Sequence, residues 1–226
     1  MRPLPIFLAV SLSVAACSRD LTSSSSPTSG TPTPSNGLNI AVDSALANQT
    51  AVVGTAIVAK VHVTQSGQPV SGIAVNWIPA TDGGTVSPSS STTDAGGVAT
   101  TTWTLGDTAR AYTLTAAMSA ASVGLQATAI AGPATSLSKT GADSVIIAAG
   151  ASTLLTVRAT DKRGNSVGGV TVAWTTTGGS LTASSTTTGA SGKAEVVFSS
   201  GPVPQTYTVT ATAAGLGTQT FAVLVR

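Results

Sequence analysis

Two stretches of this chain carry the same residues at a constant offset, and that repeat limits the fold more than any other feature. Adding 95 to the residue number places Gly84 on Gly179, Thr92 and Thr93 on Thr187 and Thr188, Gly97 on Gly192, and Ala99 on Ala194. The same step carries Gly106 to Gly201, Tyr112 to Tyr207, and Thr115-Ala116 to Thr210-Ala211. Upstream the offset is 97, through Gly67/Gly164, Val70/Val167, Gly72/Gly169, Val75/Val172 and Trp77/Trp174. A pattern written twice at this period implies two tandem units, each near the size of a small domain. The expected units are 38–132 and 133–226, joined by the Gly-Pro seam Ala131-Gly132-Pro133-Ala134.

Each unit alternates apolar and polar residues with period 2. Val61 and Val63 do so, then Ile73, Val75 and Trp77, and in the second unit Val170, Val172 and Trp174. Ala194, Val196 and Phe198 follow, and Tyr207, Val209 and Ala211 after them. Such runs between Gly, Pro, Asn and Ser clusters mark half-buried antiparallel strands. About seven strands per unit suggest a two-sheet sandwich of immunoglobulin-like plan. Ser66-Gly67-Gln68 and Lys162-Arg163-Gly164-Asn165 supply turn residues that tolerate positive φ. No segment carries a convincing amphipathic helix. The predicted class is all-β: two tandem immunoglobulin-like β-sandwiches after a signal peptide and a disordered tether.

The second unit also carries a motif set. Asp161, Gly164, Asn165, Val167, Gly169, Val170 and Val172 fit the pattern D-x-x-G-N-x-V-x-G-V-x-V. Trp174, Gly179, Leu181, Gly192, Ala194, Tyr207, Thr208 and Ala211 continue it. In this it resembles the bacterial Ig-like domain of group 1, known from the invasin and intimin adhesins. The first unit fits less well: Thr64 stands in place of the Asp, and its first turn is one residue shorter. The resemblance implies the sandwich fold over about residues 38–226, and a role in adhesion or as a spacer. In invasin-like adhesins a separate terminal domain commonly binds the receptor. Here the sequence stops at Arg226 after the strand-like Phe221-Ala222-Val223-Leu224-Val225, so binding is expected through the loops or edges of the two units themselves.

The amino terminus reads as an address. A charged start at Arg2, an apolar stretch from Pro3 to Val14 and small residues before Cys17 describe a secretory signal over 1–16. That stretch is shorter than the roughly 20 residues a permanent membrane helix needs. Val14-Ala15-Ala16-Cys17 resembles the lipobox of bacterial lipoproteins. The resemblance implies cleavage before Cys17 and diacylation of its sulfur by palmitate-type chains. Ser18 in place of Asp favours the outer membrane in a Gram-negative cell. Residues 17–37 then form a Ser/Thr/Pro tether, too poor in apolar residues to fold. Twenty such residues span roughly 25 Å root-mean-square.

Composition excludes several chemistries. With 8% charged residues and a formal charge of +2, no basic patch is large enough to grip nucleic acid. One Cys rules out a disulfide scaffold or a Cys-rich zinc module. His62 is the only His, and its phase opposite Val61 and Val63 directs it to solvent without a visible partner. Asp82 with Asp94, or Asp143 with Asp161, are the nearest approach to a Ca²⁺ set, which needs about six oxygens. No nucleophile elbow, P-loop or dinucleotide fingerprint is present. No catalytic residue, metal ligand or cofactor is assigned. Trp77, Trp174 and Trp103 are expected in the core rather than as sugar platforms, and Tyr112 and Tyr207 at strand corners.

The sequence thus describes a non-catalytic cell-envelope lipoprotein whose Ig-like units interact or space, in adhesion. An accessory subunit docked on an envelope complex and a polysaccharide-binding module are the alternatives. Its partners are the membrane, through Cys17, and a protein or polysaccharide. With the charges scattered singly, contacts are expected to withstand both salt and chelators. Cys17→Ala should stall processing or release the protein from membranes, whereas the wild-type mature protein should carry the mass of two or three acyl chains. Finding a free Cys17 thiol in mature wild-type protein would refute the anchor.

Overall fold

The computed structural model of the chain describes residues 37–119 and 121–226. The expected signal segment, Cys17 and nearly all of the tether lie outside the described residues. Ten strands are described in the first repeat: β1 (Leu38–Val42), β2 (Gln49–Val52), β3 (Ala56–Gln65), β4 (Gln68–Pro69), β5 (Ala74–Pro79), β6 (Thr85–Ser87), β7 (Ser90–Thr92), β8 (Val98–Thr104), β9 (Ala111–Met118) and β10 (Ala121–Ile130). Nine are described in the second: β11 (Ser136–Thr140), β12 (Ser144–Ile147), β13 (Ser152–Thr160), β14 (Thr171–Thr176), β15 (Ser180–Leu181), β16 (Ser185–Thr187), β17 (Lys193–Ser199), β18 (Thr206–Ala213) and β19 (Gly217–Val225). A short 3-10 turn at Ser44–Leu46 is capped by the Asp43 carboxylate, which accepts from Ala45 N.

The two repeats have the same strand order. In the first, one sheet runs β1-β3-β8-β6, with β4 beside β3, and the other runs β2-β10-β9-β5-β7. In the second, the orders are β11-β13-β17-β15 and β12-β19-β18-β14-β16. More strands are found than the seven expected because the opening segment of each repeat divides between both sheets. β1 pairs antiparallel with β3, and β2 crosses to pair parallel with β10. β11 and β12 repeat this against β13 and β19. Short edge strands add the rest, and so limit the unpaired backbone each sheet presents.

The period-2 pattern sets which face is buried. Val61, Val63, Val75, Trp77 and Trp103 enclose the first core, and Val172, Trp174, Val196, Phe198 and Phe221 the second. Trp174 packs beside Phe221 with ring centroids 6.3 Å apart, and Phe198 lies 5.3 Å from Tyr207. Each buried indole also finds an acceptor for its N–H. Trp77 donates to Ser91 Oγ, Trp174 to Thr186 Oγ1 and Trp103 to the Gly83 carbonyl, each at 2.8 Å. A buried indole N–H left unpaired would offset much of what burying the ring contributes.

Two repeated residue types have physical explanations at this level. Thr93 and Thr188 are buried, and each hydroxyl ties the segment after one edge strand to the segment leading into the neighbouring strand. Thr93 Oγ1 accepts from Ile73 N and donates to the Val70 carbonyl; Thr188 Oγ1 accepts from Val170 N and donates to the Val167 carbonyl. Gly97 and Gly192 hold φ of 71° and 73°. A Cβ on Gly192 would stand 2.6 Å from the Ala159 carbonyl, and one on Gly97 would strike the Val63 carbonyl. Only Gly meets both the left-handed backbone and the close approach.

Trp174 is 2% exposed, so Trp174→Ala empties a large core site. Chemical denaturation of that variant should show a loss of about 3–5 kcal/mol in the second repeat. An unchanged midpoint would mean that the ring is not structural.

Candidate functional site

Trp77, Trp103, Trp174, Tyr112 and Tyr207 are all buried, so none forms an exposed stacking platform. Tyr112 closes its corner by donating its hydroxyl to the Thr108 carbonyl at 2.8 Å. His62 does face away from the core, but it is not alone. Its Nε2 lies 3.2 Å from Asp43 Oδ2, which also pairs with Lys60 Nζ at 3.0 Å. The Lys60 ammonium, then His62 and the Ala45 N–H, hold the Asp43 carboxyl down at about 2. The sequence concealed this cluster because Asp43 lies 19 residues from His62.

Three of the four acids considered for a cation, Asp94, Asp143 and Asp161, have their carboxylates engaged elsewhere. Asp94 Oδ1 accepts from Gly96 N and Val98 N, and the backbone carbonyl of Asp82 accepts from Arg110. Asp143 pairs with Lys139. Among the described residues no group of three or more His, Cys, Asp or Glu is placed to hold a metal ion.

Asp161 is the organising residue of the seam. It is 4% exposed. Its Oδ1 accepts from the Arg163 and Asn165 backbone N–H groups at 2.8 and 2.9 Å, closing the turn after β13. Its Oδ2 accepts from Asn165 Nδ2 at 3.0 Å and from Gly132 N, in the connection between repeats, at 2.9 Å. Burial alone would raise the Asp161 carboxyl pKa. The Asn165 amide and the Gly132, Asn165 and Arg163 N–H groups outweigh burial and lower it to about 2.

From that turn two side chains reach the loop after β8 in the first repeat. Asn165 Nδ2 donates to the Asp107 carbonyl at 2.8 Å, and Asn165 Oδ1 accepts from Ala109 N at 2.8 Å. Arg163 Nε pairs with Asp107 Oδ1. The turn from Asp161 to Asn165 is therefore more than a turn: Asp161, Arg163 and Asn165 latch one repeat to the next. The available signal was the first copy, where Thr64 replaces the Asp and the turn is shorter.

The latch borders an open cleft of about 410 Å³. Thr108 and Ala109 line it from the first repeat, and Arg158, Gly164, Asn165 and Ser166 from the second. Arg158 Nη2 donates to Ser166 Oγ at 2.7 Å. A second cleft of about 420 Å³ shares Thr108 and is lined by Asp82, Asp107 and Arg110. There Arg110 is occupied by the Asp82 carbonyl and by the Tyr112 ring, 4.9 Å from its centroid.

Residues 136–224 match the family described as the bacterial Ig-like domain (group 1). No curated protein matches the chain. Among solved structures, the Escherichia coli adhesin FdeC overlaps with a TM-score of 0.49 and 22% identity, over 85% of this chain and 65% of its own. The Yersinia pseudotuberculosis adhesin InvE overlaps with a TM-score of 0.44 and 19% identity, over 84% and 60%. The D0–D1 domain of intimin gives 0.34 and 20%, over 82% and 94%. This chain thus spans less than two thirds of the first two. The fold itself stands on the strand order and the family match.

Asp161→Ala removes four acceptor contacts and leaves partly buried N–H groups without their partner. The cost should be about 2–4 kcal/mol by denaturation, with the junction loosened. Because the folded carboxyl titrates below its ordinary value of 3.8, its contribution is complete above that pH. It should be lost as pH falls toward about 2. Acid titration of wild type and Asp161→Ala should therefore converge at low pH, and parallel curves would contradict the role.

Proposed function

Taking residues 136–224 as a bacterial Ig-like domain preceded by a sandwich of the same strand order, we propose a non-catalytic cell-envelope lipoprotein. Cys17 anchors it, the tether lifts the folded part clear of the lipid, and the two sandwiches serve as an interaction and spacer module in adhesion. The observation that carries this reading is the latched seam. A free linker would let the distal repeat reorient, but Asp161, Arg163 and Asn165 tie the second repeat to Gly132 and to the Asp107–Ala109 loop. A module that presents a surface at a fixed distance needs such a junction. The non-enzymatic assignment is supported by the family, and by side chains engaged in turns and in the core rather than converging on a reacting atom.

Whole-cell proteolysis tests this reading. An epitope placed in the loop before β18 should be cut on intact cells, and deletion of the protein should lower adherence to a surface. Protection from protease, with stoichiometric co-purification of an envelope complex in detergent, would replace it with the accessory-subunit reading.

A further inference from the structure

Charge is not evenly shared between the repeats. Residues 38–132 hold Lys60 and Arg110 against Asp43, Asp82, Asp94 and Asp107. Residues 133–226 hold Lys139, Arg158, Lys162, Arg163, Lys193 and Arg226 against only Asp143, Asp161 and Glu195. The fold then sets two of these cations opposite each other, a grouping that single charges spaced along the sequence do not reveal. Arg158 on β13 stands opposite Lys193 on β17 in register. Both sit in the outward phase, between the buried Val157 and Ala159 on one strand and before the buried Ala194 on the other. Like charges directly opposite in a sheet repel.

Among the described residues neither cation is held in an ion pair. Among the described residues the ion pairs within 4 Å join Asp43, Asp143 and Asp107 to other cations, and no carboxylate lies that close to Arg158 or Lys193. The Asp161 carboxylate is filled by N–H donors. Glu195 lies diagonally across, its Oε1 only 3.5 Å from the Thr156 hydroxyl. The Arg158 guanidinium therefore enters the cleft half-buried, with one donor on Ser166 and the rest of its fork uncommitted.

We infer that this cleft between repeats binds the carboxylate of an acidic saccharide, a uronate unit of a polysaccharide. A planar guanidinium fork matches a carboxylate in two-point geometry, and Lys193, opposite Arg158 in register, adds positive charge beside the cleft. The rest of the lining suits a hydroxyl-rich ligand. Thr108 and Ser166 offer hydroxyls, Gly164 exposes backbone, and Ala109 is as large as the apolar surface becomes. The cleft volume falls in the range that holds a small ligand. Recognition here uses polar contacts in place of aromatic stacking, consistent with every Trp being buried. The inference names a ligand for the interaction module and rests on that reading. It also reverses the salt independence that the scattered charges imply.

The test is calorimetric titration of the full chain in detergent with trigalacturonate, its methyl ester and inorganic phosphate. Trigalacturonate should bind, the ester should not, and phosphate should compete weakly. Binding should weaken several-fold between about 0.05 and 0.5 M salt. Arg158→Gln should weaken it at least tenfold, and Arg158→Lys, which keeps the charge but not the fork, by an intermediate factor. Lys193→Gln, on an exposed strand position, should weaken it about threefold without altering the melting curve, which keeps the test valid if Arg158 variants unfold. No uronate binding, equal binding of the ester, or unaltered affinity in folded Arg158→Gln each overturns the site. Phosphate binding as tightly as the uronate overturns the carboxylate assignment. If uronate fails while deletion still lowers adherence, the cleft is wrong and the adhesion module stands.

Discussion

Each described sheet buries one face in an apolar core, and no long helix is available among the described residues to cover that face. The two sheets of a repeat must therefore cover each other. The inward residues are small and branched apart from a few aromatics, so the gap closes around Trp77 and Trp103 in one repeat and Trp174, Phe198 and Phe221 in the other. The polar side chains that this closure buries among the described residues are paired. The indoles reach hydroxyl or carbonyl oxygens, and Thr93 and Thr188 take up backbone groups that their loops would otherwise leave unsatisfied. Among the described residues no buried side-chain nitrogen or oxygen lacks a partner.

Against this symmetry stands one asymmetric residue. The second repeat has Asp161 where the first has Thr64, and only the carboxylate has enough acceptor capacity to hold a turn and a neighbouring backbone together. A turn motif thus becomes a joint. The same joint brings Arg158 close to Thr108 of the preceding repeat and creates a concave surface that neither sandwich offers by itself.

Core and topology were legible because both follow from local rules repeated along the chain. Alternation at Val61/Val63 and Val172/Trp174 gave the buried face, and the two offsets announced a strand order that occurs twice. The split of each opening strand was not legible, since β1 and β2, at five and four residues, are too short to announce two different partners. Nor was the seam. Asn165 meets Ala109 across 56 residues, and Arg158 meets Lys193 only through the register of β13 and β17. His62 shows the same limit: its phase was readable, but its partner Asp43 was fixed by the turn that Ser44–Leu46 makes.

The parallel pairing of an early strand with the last strand, β2 with β10 and β12 with β19, has a mechanical meaning. Tension running along the chain enters each repeat near one of these strands and leaves by the other. Because they lie side by side and parallel, the load slides them past each other and strains all their mutual hydrogen bonds together. An antiparallel hairpin pulled at its open end would instead release its bonds singly, like a zipper. Each sandwich is thereby wired to resist stretching along the line between its two chain ends.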